Sequence, residues 1–168
     1  MITTLLLPQA LRAQLCAEAR AAFPRECCGL IEGLREPLTL SLAKGAARVT
    51  ALHPMPNLAT APDRFEIDPA RHVALLRELR DTDRAIIGCY HSHPNGAAEP
   101  SAHDLESAGE LGFLWLIAAM EDSTTEPRTA AFVSTGNSFQ PVRLETRQSS
   151  WDRRRPAGMP ARGLPARG

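Results

Sequence analysis

The stretch Tyr90-His91-Ser92-His93-Pro94, followed after a short loop by Ser101-Ala102-His103-Asp104, decides how the rest of the chain is read. Two histidines two residues apart on an extended segment project from one face, so both imidazoles can reach the same point in space. The apolar run Ala85-Ile86-Ile87-Gly88-Cys89-Tyr90 ahead of them predicts a buried strand. Ser101-x-x-Asp104 ahead of Leu105, Leu111 and Leu114 predicts the start of a helix. A strand end then faces a helix N-terminus, and Asp104 in the first helical turn can swing back as a third, anionic ligand. Two imidazoles and a carboxylate leave a tetrahedral Zn²⁺ one open position, the mark of a catalytic zinc. Each half is weak alone, because His-x-His arises by chance and Ser-x-x-Asp is an ordinary capping box. The conjunction at this spacing should arise in on the order of one in 10⁴ chains of this length.

Composition sets the frame for that site. The 168 residues, 43% of them apolar, are enough to bury one sizeable core, and one domain is expected over residues 1–146. Residues 147–168 form a basic tail rich in proline and glycine, with six arginines against the single acid Asp152, a balance of +5. Since the whole chain is neutral, its body is acidic, which argues against a nucleic-acid-binding core. Trp151 in the tail could dock on the body or on a neighbouring chain, so a homodimer stays open. Cys16, Cys27, Cys28 and Cys89 include no Cys-x-x-Cys pair and are read as reduced, in a cytoplasmic protein. The Leu5-Leu6-Leu7 run lacks a basic region before it and is interrupted by Gln9, Arg12 and Gln14, so it fails as a signal peptide. No stretch approaches the ~20 apolar residues of a membrane span.

Along the chain, Leu11, Leu15, Cys16, Ala19 and Phe23 recur at helical spacing up to Pro24, with Pro8 at a tolerated first-turn position. A short strand is expected over 26–32, with the carboxylate of Glu26 inside it as either an edge residue or a general base. Strands are expected at 38–42 and 49–52 around a turn at Lys44-Gly45-Ala46. A proline-rich loop over 53–64 follows, in which Asn57 is either a turn former or part of a substrate groove. Asp68 should cap a helix with Pro69 at its first position and Val73, Leu75, Leu76 and Leu79 on its apolar face, leaving His72 toward solvent. Strands at 113–118, 130–134 and 139–144 complete the pattern of a mixed α/β sheet flanked by helices.

His91-Ser92-His93, seven residues, then Ser101-Ala102-His103-Asp104 resembles without gaps the signature of the JAMM (MPN-plus) zinc metalloproteases. The upstream Pro24-Arg25-Glu26-Cys27-Cys28-Gly29 is similar to the family's Pro-x-Glu-x-Cys-Gly strand, which puts Glu26 in the catalytic Glu position. The resemblance covers roughly residues 1–146 and implies a cytidine-deaminase-like fold. It implies Zn²⁺ on His91, His93 and Asp104, Glu26 shuttling a proton, and Ser101 aimed at the oxyanion. The short prokaryotic type implies a ubiquitin-like or sulfur-carrier substrate, hydrolysed at a C-terminal Gly-Gly. Two other classes compete: a metal-free MPN scaffold, and a cupin-like metal protein in which Glu99 follows His-x-His. His103 is a further ligand candidate, although its neighbour Asp104 holds the better position relative to Ser101.

Overall fold

Leu5-Leu6-Leu7 forms the strand on which the architecture closes. The computed structural model describes residues 2–34 and 45–147. In chain order the elements are β1 (Thr4–Pro8), α1 (Gln9–Ala22), β2 (Cys28–Leu34), β3 (Ala46–Met55), α2 (Pro69–Glu78), β4 (Arg84–His93), α3 (Ala102–Ser107), β5 (Leu114–Ala119), β6 (Arg128–Ser134) and β7 (Phe139–Arg147). The strands run β1-β3-β2-β4-β5-β6-β7 and close into a barrel, because β1 pairs in parallel with both β3 and β7. Leu5 thus lies opposite Ala47 on one side and Leu144 on the other. The β4–β5 pair is also parallel and the remaining pairs are antiparallel, so the expected mixed α/β sheet with flanking helices is present.

The two faces of β4 serve different cores, as period-2 alternation requires. Tyr90 faces a cluster with Leu15 and Ala19 of α1, Leu5 and Leu7 of β1 and Leu116 of β5. Cys89 faces the opposite cluster with Leu75 of α2, Leu79 at its C-cap, Leu30 of β2 and Trp115 of β5. His91 and His93 continue the Cys89 face as the strand leaves the α2 core. Asp68 caps α2 by accepting from the Ala70 N–H at 2.8 Å.

Several expectations are corrected. Glu26 is not inside a strand: β2 begins two residues later, at Cys28. On α2 only Leu75 is buried, with Leu79 at its C-cap, while Val73 and Leu76 are 43% and 49% exposed, because the sheet meets the helix along a narrower stripe than its apolar sequence suggests. α3 stops at Ser107, ahead of Gly109 and Gly112, so Leu105 and Leu111 lie on the surface rather than on a buried helical face. The expected strand at 38–42 and nearly all of the tail lie outside the described residues. Among the described residues no helix is long and apolar enough to cross a membrane.

Gly29 shows how tightly β2 is set between β3 and β4. It lies opposite Tyr90 on β4, and a methyl group built there would overlap the His53 carbonyl oxygen and the Tyr90 ring. The ring cannot retreat, since Tyr90 is fully buried and its hydroxyl donates to Glu18 Oε2 at 2.6 Å. Gly29→Ala is therefore expected to lower stability by about 2–3 kcal/mol, the usual cost of overpacking a tight core. Urea unfolding measures it, and an unchanged midpoint would contradict this packing.

Candidate active site

The end of β4 and the start of α3 meet as the spacing requires. His91 Nε2 and His93 Nε2 lie 2.9 Å apart. Asp104 Oδ1 is 3.3 Å from His91 Nε2, and its Oδ2 is 3.3 Å from His93 Nε2. One donor atom from each of the three residues falls within 4.8 Å of the other two. Among the described residues this is the one cluster of His, Cys, Asp and Glu able to hold a metal ion. All three side chains are buried, His91 completely.

Each ligand is oriented by a partner behind it. His93 Nδ1 is 2.8 Å from the Ala97 carbonyl. A carbonyl only accepts, so Nδ1 carries the proton and, in the neutral ring, the lone pair is on Nε2, facing the cluster. The Ala97 turn is itself pinned: Gly96 has a positive φ of 77°, its N–H donates to the Met120 carbonyl at 3.1 Å, and Arg128 donates to its carbonyl at 2.6 Å. His91 stacks on Phe65, with centroids 4.5 Å apart and planes at 21°, and meets Trp115 edge-on at 5.7 Å. Among the described residues its buried Nδ1 has no hydrogen-bond partner, and the ring's polar contacts run through Nε2. Ser101 and Asp104 form a reciprocal capping box. Asp104 Oδ2 accepts from the Ser101 N–H at 2.7 Å and from its hydroxyl at 2.8 Å, which leaves Oδ1 the freer oxygen.

The electrostatics suit a cation. Burial pushes His91 below its ordinary pKa and outweighs the pull of Asp104, keeping the ring neutral. Burial acts the same way on His93, but hydrogen bonds to Asp104 and Ala97 reverse it and move the pKa up. Burial alone would raise Asp104; hydrogen bonds from His91, His93 and the Ser101 backbone instead hold it far below the usual carboxylate range. A buried anion and two imidazole nitrogens therefore converge, and a positive charge among them, a proton on His93 or a bound cation, would offset the desolvation of the carboxylate. Two nitrogens, one carboxylate oxygen and a His93 tautomer fixed by the Ala97 carbonyl fit Zn²⁺.

Glu26 reaches this cluster through strand register. Cys28 is opposite His91, and the pairing continues where Cys27 donates its N–H to Ser92 Oγ at 2.8 Å and accepts from the Ser92 N–H at 3.1 Å. Two residues before Cys28, Glu26 comes level with His93 on the face shared by both histidines. It is 6% exposed. Burial raises its pKa, partly opposed by His93 and reinforced by Asp104 and Asp63, leaving it at about 7. A carboxyl poised there can take and return a proton at neutral pH.

The other candidates do not face the cluster. His103 is 41% exposed in its side chain and pairs with Glu106 Oε2 at 3.0 Å. Glu99 is exposed, and with it the cupin-like arrangement loses its carboxylate. The further buried carboxylate of β2, Glu32 at its far end, is held by Thr50 at 2.7 Å, His53 at 2.9 Å and Arg84 at 3.4 Å. Asn57 spends its amide on backbone groups rather than on a groove, with Nδ2 donating to Glu26 O and Arg64 O. Phe65, Ser92 and the Ala97 carbonyl were not singled out by sequence reasoning. Only Ser92, set between the two histidines and so pointing to the other face, carries a local signal.

A model described as prokaryotic homologues of the JAB domain matches residues 8–150. A desampylase from Haloferax volcanii is 33% identical over 118 residues, covering 70% of this chain and 75% of the relative. A probable TtuB-protein conjugate cleaving protease from Thermus thermophilus is 33% identical over 98 residues, covering 58% of this chain and 55% of that one. The solution structure of a Desulfitobacterium hafniense protein superposes with a TM-score of 0.73 at 25% identity, covering 87% of this chain and 94% of the other. A match over most of the chain, carried by a barrel whose β4 and α3 bring two histidines and an aspartate together, means that the chain belongs to the prokaryotic JAB family of JAMM/MPN hydrolases.

Proposed function

We propose that this protein is a zinc metallopeptidase that cleaves the peptide or isopeptide bond after the C-terminal Gly-Gly of a ubiquitin-like or sulfur-carrier protein. The observation that carries the reading is Glu26, brought level with His93 and held near neutrality beside the His91, His93 and Asp104 cluster. The substrate class is supported by two relatives named for removing or cleaving protein conjugates. Four unpaired cysteines support a reducing, cytoplasmic setting.

His91, His93 and Asp104 would hold the ion, which when bound supplies Lewis acidity that acidifies a water and polarises the scissile carbonyl. Glu26 takes the attacking water's proton and returns it to the departing amine, one carboxylate serving both halves of amide hydrolysis. Ser101 first orients Asp104. Its hydroxyl has a single proton, already donated to Asp104 Oδ2, so it serves the oxyanion only by turning from that oxygen to the substrate. Phe65 and Trp115 keep bulk water from His91.

The test is Glu26→Gln, nearly isosteric and outside the ligand set. It should retain zinc at one equivalent and lose about 10²–10⁴-fold in turnover of a Gly-Gly amide-linked ubiquitin-like protein. Wild-type turnover in that variant, with zinc measured in the same sample, would remove the base.

A second outcome follows from linkage in the metal-free protein. The folded state holds the Glu26 proton up to about pH 7, whereas the unfolded chain releases it near ~4.3. Folded molecules bind more protons in that window, so this carboxyl makes stability fall as pH rises through it. Metal-free Glu26→Gln should gain roughly 1–3 kcal/mol over wild type at pH 8, with the gain shrinking toward pH 4. Thermal or urea unfolding at the two pH values reads it, and a pH-independent difference contradicts the burial of this carboxyl.

A further inference from the structure

Residue 26 is gripped through its main chain. Its N–H donates to the Pro62 carbonyl at 3.2 Å, and its carbonyl accepts from Asn57 Nδ2 at 3.0 Å. The preceding Arg25 also reaches into the same loop, donating to the Thr60 carbonyl at 3.2 Å and to the Ala59 carbonyl. Among the described residues no hydrogen bond holds the Glu26 carboxylate, so the direction of that side chain is set by how its backbone is held.

Asn57 is the node of this arrangement. An amide side chain offers two donors and two acceptor lone pairs, and all four are used. Nδ2 bonds Glu26 O and Arg64 O, at 3.0 and 2.9 Å. Oδ1 accepts from the Ala59 and Glu66 N–H groups, at 2.9 and 3.1 Å. Between Arg64 and Glu66 lies Phe65, the ring stacked on His91. One half-buried amide thus ties the backbone of Glu26 to the segment that covers a metal ligand.

We propose that Asn57 is a positioning residue, one that sets Glu26 against the metal cluster by clamping its carbonyl to the Phe65 segment. Nothing in the local sequence requires this, since residues 26 and 57 meet only because β2 and β3 pair so that Cys28 lies opposite Met55. The inference rests on the reading of Glu26 as the base. Loss of the clamp lets the carboxylate wander by a fraction of its own size, and a misplacement of about 1 Å in a catalytic group can cost on the order of 10²-fold. Substrate binding need not change.

The experiment is a double-mutant cycle on the zinc-loaded full chain, with a fluorogenic C-terminal Gly-Gly amide of a ubiquitin-like domain as probe. Asn57→Ala should keep zinc and hold KM within about threefold while kcat falls about 10–100-fold. In the Glu26→Gln background the same substitution should cost nothing further, because the group it positions is gone. Asn57→Asp retains the acceptor half of the amide and turns oxygen toward the Glu26 and Arg64 carbonyls. It serves in place of Asn57→Ala if that variant does not fold, with the same kcat loss expected. Wild-type kcat in the folded Asn57 variant, zinc loss in step with activity, or losses that multiply in the double mutant would each overturn the clamp. Wild-type turnover in Glu26→Gln alone would bring down the base role and the clamp with it, whereas wild-type turnover confined to the Asn57 variant leaves the base role standing.

Discussion

Asp104 is a buried carboxylate that caps a helix and faces two buried imidazoles, and the structure around it is arranged so that this charge is tolerated. Its Oδ2 is held by the Ser101 N–H and hydroxyl and lies 3.3 Å from His93 Nε2, while Oδ1 faces His91. An anion at the first turn of a helix is favoured by the unsatisfied backbone N–H groups there. That local stabilisation places the anion beside two imidazoles whose Nε2 atoms donate to it when protonated and can join it around a cation when not, so the residues that shape the helix cap also shape a site able to hold a metal ion. The barrel supplies rigidity: β4 is hydrogen-bonded on both sides, by β2 and β5, up to His91 and His93.

The same β2–β4 register explains how a carboxylate far away in sequence comes beside the His91, His93 and Asp104 cluster. Antiparallel pairing converts a separation of many residues into a fixed offset, and Cys28 opposite His91 leaves Glu26 level with His93. The three cysteines nearby do not compete for a reactive role. Burial raises Cys27 to about 11 and Cys28 to about 12, and Cys89 moves well upward for the same reason. Thiols held protonated are poor nucleophiles.

What could be read from the sequence was what local spacing encodes. His-x-His on a strand and Ser-x-x-Asp at a helix start each carry their own geometry, and the apolar runs gave the strands that flank them. Glu26 came from resemblance, since nothing near it marks a base; its position beside the histidines follows from register. Barrel closure by β1 was hidden because Leu5-Leu6-Leu7 says only that it is apolar, not that it pairs with strands some 40 and 140 positions later. Val73 and Leu76 were misplaced for a related reason: amphipathic spacing gives the direction of a helix face, and the width of the surface that covers it comes from the partner. Phe65 and Asn57 act through a loop whose prolines announce irregular backbone without saying where it returns.

The measurement closest to the central claim is zinc K-edge X-ray absorption on the zinc-loaded protein. Coordination by His91, His93 and Asp104 predicts a shell of nitrogen and oxygen only, at about 2.0–2.2 Å, with the multiple-scattering features of two imidazoles. A sulfur shell at about 2.3 Å would place the metal on the neighbouring cysteines, and the account of this site would be wrong.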